Sequence, residues 1–239
     1  MNPDSYRIRP ARPADVAEAT AIDLGLRRYM LSVYNYMAAG LGITGLVAYV
    51  AVATGFYQQI AGTPLIWVVM LAPLAAVLFL SFRIERMSLG AAQAAFWSYA
   101  ALMGLSLAGI LLVYTGASIA RVFFITAATF AAMSLYGYST SRDLSQLGSL
   151  LFMGLIGIVL AGLVNIFVAS SALQFAISVI GVLVFTGLTA YDTQRIKRLY
   201  IEGSGDLAKL GLMGALTLYL DFINLFVMLL QLTGDRRER

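Results

Sequence analysis

One carboxylate stands in the middle of an apolar run. Asp221 lies in the string Leu218-Tyr219-Leu220-Asp221-Phe222-Ile223-Asn224-Leu225-Phe226 and is the twelfth residue of the 23-residue run 210–232. A charge at the centre of a bilayer costs roughly 2.5–3.5 kcal/mol. Asp221 therefore has to face the bundle interior, carry a proton or have a partner. At helical spacing its face carries Gly214, Thr217 and Asn224, a polar stripe on an apolar helix. A second carboxylate, Asp192, closes the sixth apolar run in Thr189-Ala190-Tyr191-Asp192-Thr193-Gln194, one turn after Thr189 and beside Arg195. Taken alone, Asp192 suits an ordinary helix-end carboxylate at the water interface. Asp221 suits a functional role, because intramembrane charge is functional by default.

Two carboxyl groups on consecutive helices can share one proton. Such a pair is a pH sensor without histidine. Fully deprotonated, Asp192 and Asp221 are also a transient site for a hard cation, because carboxylate oxygens suit Ca²⁺. Arg83 and Arg86, near the end of the second run, fall on the same side. Either can latch the pair by a charge-assisted hydrogen bond. Their plain alternative is a topology charge at the interface.

The surrounding chain has 239 residues, 60% hydrophobic and only 12% charged, with a mean hydropathy of +0.84. A soluble domain carries roughly 25% charged residues, so a soluble enzyme is excluded. His and Cys are both 0. Their absence removes disulfides, thiol or imidazole metal sites and histidine general-base chemistry. The net charge of +4 sits outside the apolar runs and reads as topology signal, so no nucleic-acid partner is expected.

Seven apolar runs position these residues: 29–53, 65–82, 89–114, 119–138, 149–169, 173–192 and 210–232. Each is near the ~20 residues that cross the hydrocarbon as a helix. The expected fold is an all-α polytopic membrane protein, a seven-helix bundle with the polar-striped last helix in its centre. Pro73 is placed to kink the second helix. Gly40, Gly42, Gly45, Gly154, Gly157 and Gly162 suggest close helix contact. Residues 1–28 read as a cytoplasmic tail, with 14–28 suited to a helix on the membrane surface, 29–232 as the transmembrane domain and 233–239 as a short polar tail. An inside amino terminus puts twelve of the sixteen Lys and Arg residues on the inner side. The basic residues Arg236, Arg237 and Arg239 dissent, and leave open a last segment that re-enters and returns.

The carboxyl-terminal half resembles the Bax inhibitor-1 family, also called the transmembrane Bax inhibitor motif family. The matching strings are Ser178-Val179-Ile180-Gly181, Thr189-Ala190-Tyr191-Asp192-Thr193-Gln194-Arg195-Ile196-Lys197 and Ala215-Leu216-Thr217-Leu218-Tyr219-Leu220-Asp221-Phe222-Ile223-Asn224-Leu225-Phe226. Arg142-Asp143-Leu144-Ser145 and Asn165-Ile166-Phe167 are similar to the family pattern as well, and the stretch from Arg27 to Met37 resembles bacterial members. The resemblance implies a pH-sensitive calcium leak channel of the cell inner membrane. Asp192 and Asp221 would be its di-aspartyl sensor and Arg86, or else Arg83, its latch. It implies no catalytic residues and no cofactor, with Ca²⁺ as the permeating ion and the lipid bilayer as the surroundings. Some bacterial members are linked instead to control of a membrane protease. A non-transporting protein that binds such a protease is therefore the main alternative.

A remoter alternative is an intramembrane aspartyl protease, whose Tyr-Asp and Gly-x-Gly-Asp strings have counterparts in Tyr191-Asp192 and Gly203-Ser204-Gly205-Asp206. The second string here falls in a polar linker, and the depth of Asp206 discriminates.

Overall fold

The computed structural model describes residues 13–201 and 206–237. Eight α-helices follow in chain order: α1 (Pro13–Ala53), α2 (Phe56–Ala61), α3 (Leu65–Arg83), α4 (Leu89–Val113), α5 (Gly116–Ser139), α6 (Ser145–Val168), α7 (Ser171–Ile201) and α8 (Leu207–Thr233). A 3₁₀ turn, Ile84–Arg86, follows α3. Seven of the helices are long and apolar enough to cross a membrane; α2 is the short exception. No strand occurs among the described residues, as expected where lipid cannot satisfy an open backbone.

Local chemistry sets the helix ends. Ser88, Thr115 and Asp206 cap α4, α5 and α8, each side chain accepting a first-turn backbone N–H. Asn165 organises the tight α6–α7 turn: its carboxamide oxygen accepts the Ser170 N–H at 3.0 Å. Ala169 holds the left-handed conformation there, at φ 50°, where glycine is the usual residue. α3 runs unbroken through Pro73. The stretch 14–28 is helical, but it is the start of α1 and not a separate surface helix.

α8 is the central helix. It packs against α1, α4, α5 and α7, and 61% of its most apolar stretch is buried, against 6% for α6 and at most 39% elsewhere. Lipid is as apolar as leucine, so dense packing and interhelical hydrogen bonds hold such a bundle together. Tyr219 supplies both. Its ring packs edge-on to Phe96 and Tyr99, with centroids 6.1 and 5.6 Å away. Its hydroxyl lies 2.6 Å from that of Thr44, which sits 2.9 Å from the Ala100 carbonyl. α8, α1 and α4 are thereby joined at one buried point.

Two glycines allow backbones to touch. A Cβ at Gly104 would strike the Thr44 carbonyl, and one at Gly137 the Ala190 carbonyl. Of the six glycines marked in the sequence, Gly40 meets the Phe96 and Tyr219 rings and Gly154 meets Val184. Gly42, Gly45, Gly157 and Gly162 face open space, so spacing alone misjudged them. Gly137→Ala should cost about 1–3 kcal/mol, the usual penalty of overpacking, since the atom in the way is backbone and cannot rotate aside. Thermal unfolding in detergent reads this; an unchanged midpoint would show that α5 and α7 are looser than described.

The end of the chain settles the path of the last segment. The Thr115 N–H donates to the Asp235 carbonyl at 3.0 Å, and the Arg237 N–H to the Val113 carbonyl at 2.9 Å. Arg121 pairs with the Asp235 carboxylate at 3.0 Å. The end of α8 is thus tied to the α4–α5 turn, at the far end of the bundle from the 140–144 loop. α8 runs the full length without re-entering.

Candidate functional site

The site forms where α6, α7 and α8 meet. α6 leans on α7, and α7 packs along α8, leaving a cleft floored by α7. At its 140–144 end lies a cavity of about 600 Å³. Asp192 of α7 and Asp221 of α8 both line it, 7% and 5% exposed. Their carboxyl groups are close enough for each to act on the other. The long linker between them in sequence does not part them, because α7 and α8 form an antiparallel hairpin. One oxygen of Asp221, Oδ2, is buried without a donor among the described residues.

The stripe read from the sequence divides here. Thr217 and Asn224 line the cavity with Asp221. Gly214 does not: a Cβ there would lie 3.1 Å from Ile196, so it lets α8 press against α7. Thr217 and Asn224 each donate to a backbone carbonyl one turn earlier, of Met213 and Leu220. Thr189 likewise bonds the Phe185 carbonyl and not Asp192.

Arg83 and Arg86 are exposed, at the end of α3 and in the 3₁₀ turn after it. Among the described residues no hydrogen bond joins either to an aspartate. The guanidinium whose charge acts on Asp192 is that of Arg195, one turn along α7, which lines the same cavity. In sequence Arg195 is only a neighbour of Asp192. Tyr191, Ser145 and Ser149 are wall residues that the sequence did not mark. An i, i+3 spacing from Asp192 was the available signal for Arg195; the α6 serines carry none.

The mouth of the cavity is held by the end of α7. Gln194, 7% exposed, accepts the Leu144 N–H at 2.9 Å and donates to the Arg142 carbonyl at 2.8 Å. Arg198 donates to Ser145 Oγ at 2.9 Å and to Asp143 at 2.5 Å, and also meets Gln194. The Ser145 backbone N–H, followed by the Arg198 guanidinium, draws the Asp143 carboxyl down to about 2. Lys197 donates to the Tyr138 carbonyl at 2.8 Å and lies over the Tyr138 ring. The 140–144 loop is thus pinned from α7 as well as by its own turns, in which the Arg142 N–H donates to Thr140 Oγ1 and the Ser145 N–H to Asp143.

Asp206 is the exposed cap of α8, not a residue inside a membrane helix beside Asp192. The partner of Asp192 is Asp221, and the protease pairing does not form. Gly203, Ser204 and Gly205 lie outside the described residues.

Fold and site together define a seven-helix membrane protein with a buried carboxyl pair between its last two helices. Residues 26–238 match the family model described as inhibitor of apoptosis-promoting Bax1. The chain belongs to this family, the Bax inhibitor-1 family. Among its relatives, protein RP147 of Rickettsia prowazekii is 52% identical over 219 residues, covering 90% of this chain and 93% of that one. Inner membrane protein YbhL of Escherichia coli is 49% identical over 219 residues, with 89% and 94% covered. A protein of Caulobacter vibrioides is 45% identical over 239 residues, with 95% of each covered.

Proposed function

We propose that this chain is a pH-gated cation leak channel of the bacterial inner membrane, passing calcium, with the Asp192–Asp221 pair as its gate. The observation that carries the reading is that pair: two buried carboxyls that act on each other in one cavity, whose mixed wall also carries Ser145, Ser149, Thr217 and Asn224. One proton held between them satisfies both groups. Losing it places two like charges side by side, which repel across the α7–α8 seam and attract a divalent cation into the cavity. Leak then rises with pH. Arg195 and Tyr191 are the other titratable groups of the cavity wall; Arg195 offsets part of the charge as the proton leaves.

Calcium here is cargo, not a resident ion. A bound Ca²⁺ takes roughly six to eight oxygen ligands, and among the described residues no cluster of three or more acidic side chains exists. The inner-membrane assignment draws on the relative named as an inner membrane protein. The cytoplasmic amino terminus draws on the bias of basic residues.

Calcium-dye flux into liposomes holding the purified protein, from pH 5 to 8, tests the proposal. No unperturbed side chain of a histidine-free chain titrates in that window. The parent should leak more as pH rises, and Asp192→Asn should give a flat profile. Asp143→Asn is the control. The Asp143 carboxyl is held low, so its contribution is present above the ordinary value near 3.9 and is lost only as pH falls towards about 2. Its loss leaves the profile between pH 5 and 8 unchanged. A parent without flux at any pH would sink the channel reading in favour of a non-transporting partner of a membrane protease.

A further inference from the structure

The cavity at the aspartates is the first of three that follow one another along the α6–α7–α8 cleft. The second, about 390 Å³, shares Leu155, Phe185 and Asn224 with the first. The third, about 380 Å³, reaches the α6–α7 turn and shares Gln174 and Gln231 with the second. Three half-open cavities thus follow one another along the cleft from the 140–144 end to the far end, each sharing lining residues with the next.

The boundary between the second and third cavities carries the amides of Gln174 and Gln231, with Asn165 on the wall of the third. Asn165 of α6 donates to Gln174 of α7 at 3.1 Å, and Gln174 donates to Gln231 of α8 at 2.7 Å. Ser178 Oγ donates to the Gln174 carbonyl at 2.9 Å and lies 3.3 Å from the same Gln231 oxygen. The chain of bonds crosses the whole cleft and ties together the three helices that enclose it. The amides sit near the ends of α6, α7 and α8, Asn165 and Gln174 half-buried and Gln231 exposed, and they pair with one another. No charge is present in the chain of bonds; the charged residue on the wall of the third cavity is Arg236.

We infer that Asn165, Gln174 and Gln231 form a second gate, a neutral amide clasp that closes the far end of the same path whose near end the aspartates close. The inference rests on the channel reading and adds to it a far gate with no titratable member. Opening the path needs both the proton to leave the aspartates and the clasp to part. The clasp controls how much passes, while the aspartates control at which pH. Its carboxamide and hydroxyl oxygens also offer a dehydrating cation neutral oxygen ligands on the way out.

Gln231→Ala removes the acceptor of the Gln174 amide. One side-chain hydrogen bond at the modest strength measured inside membranes corresponds to an increase in flux of about threefold. The rise in flux should leave its pH profile where it was, which a merely structural loss would not do. The chain has no cysteine, so Gln231→Cys in the full-length protein supplies an independent readout. A positively charged thiol reagent should block calcium flux in Gln231→Cys liposomes, but not in the parent or in Leu163→Cys, a residue on the exposed outer side of α6. Unchanged flux in Gln231→Ala together with no block in Gln231→Cys would overturn the clasp while leaving the aspartate gate standing. Absence of flux in the parent at every pH would overturn the channel reading, and the clasp with it.

Discussion

Asp221→Asn should fold, unfold in detergent at the same temperature as the parent or higher, and lose the pH dependence of its flux. The three parts have one cause. Asp221 is buried on the cavity wall beside α7, with one oxygen lacking a donor among the described residues. Asparagine keeps its volume and shape and brings an N–H₂ that can donate to Asp192. The change removes a group whose charged form costs roughly 2.5–3.5 kcal/mol at bilayer depth. Stability therefore holds or rises while the shared proton disappears. Flux and thermal unfolding on one preparation check it. A variant that is markedly destabilised would mean that the pair is a structural bond first. A variant with the parent's pH response would take Asp221 out of the sensor.

Gln194→Ala should be the most damaging single change near the site. The Gln194 carboxamide is buried and bonds the backbone of the 140–144 loop twice, at Leu144 N–H and the Arg142 carbonyl. Leu144 is itself buried, so its N–H has no ready alternative. Leaving a buried backbone group unpaired costs about 1–3 kcal/mol, and the truncation also opens a cavity. The sum is about 2–4 kcal/mol. Gln194→Glu keeps the acceptor for Leu144 and loses the donor to Arg142, so it should cost about half as much. Thermal unfolding of the two variants side by side reads this; equal, small losses would mean that Arg198 alone holds the loop.

The seven crossings were legible because each is a continuous apolar run of nearly the right length, and lipid permits only helices there. The central place of α8 was legible in Asp221 and its polar neighbours, for a helix with a carboxylate at mid-depth has to turn it inward. Gly214 shows the limit of that reasoning. It shares the face of Asp221 by spacing, yet it serves the backbone approach to Ile196. Arg195 was hidden because a helix-end arginine looks the same whether it faces water or a cavity. The amide clasp was hidden for another reason. Gln174 and Gln231 sit near the ends of their apolar runs, where a polar residue is ordinary, and only the fold brings them together with Asn165. The course of the chain after α8 depended on hydrogen bonds between Asp235, Arg237 and the α4–α5 turn, which no local pattern announces.

The most direct test of a shared proton is a double-mutant cycle on the pair, read as calcium flux in liposomes from pH 5 to 8. Two groups that hold one proton between them act as a unit, so their losses do not add. The account predicts that flux rises with pH in the parent and is equally flat in Asp192→Asn, in Asp221→Asn and in the double variant. A double variant that still follows the parent's pH profile, or two single variants that each remove a separate part of it, would contradict the shared proton.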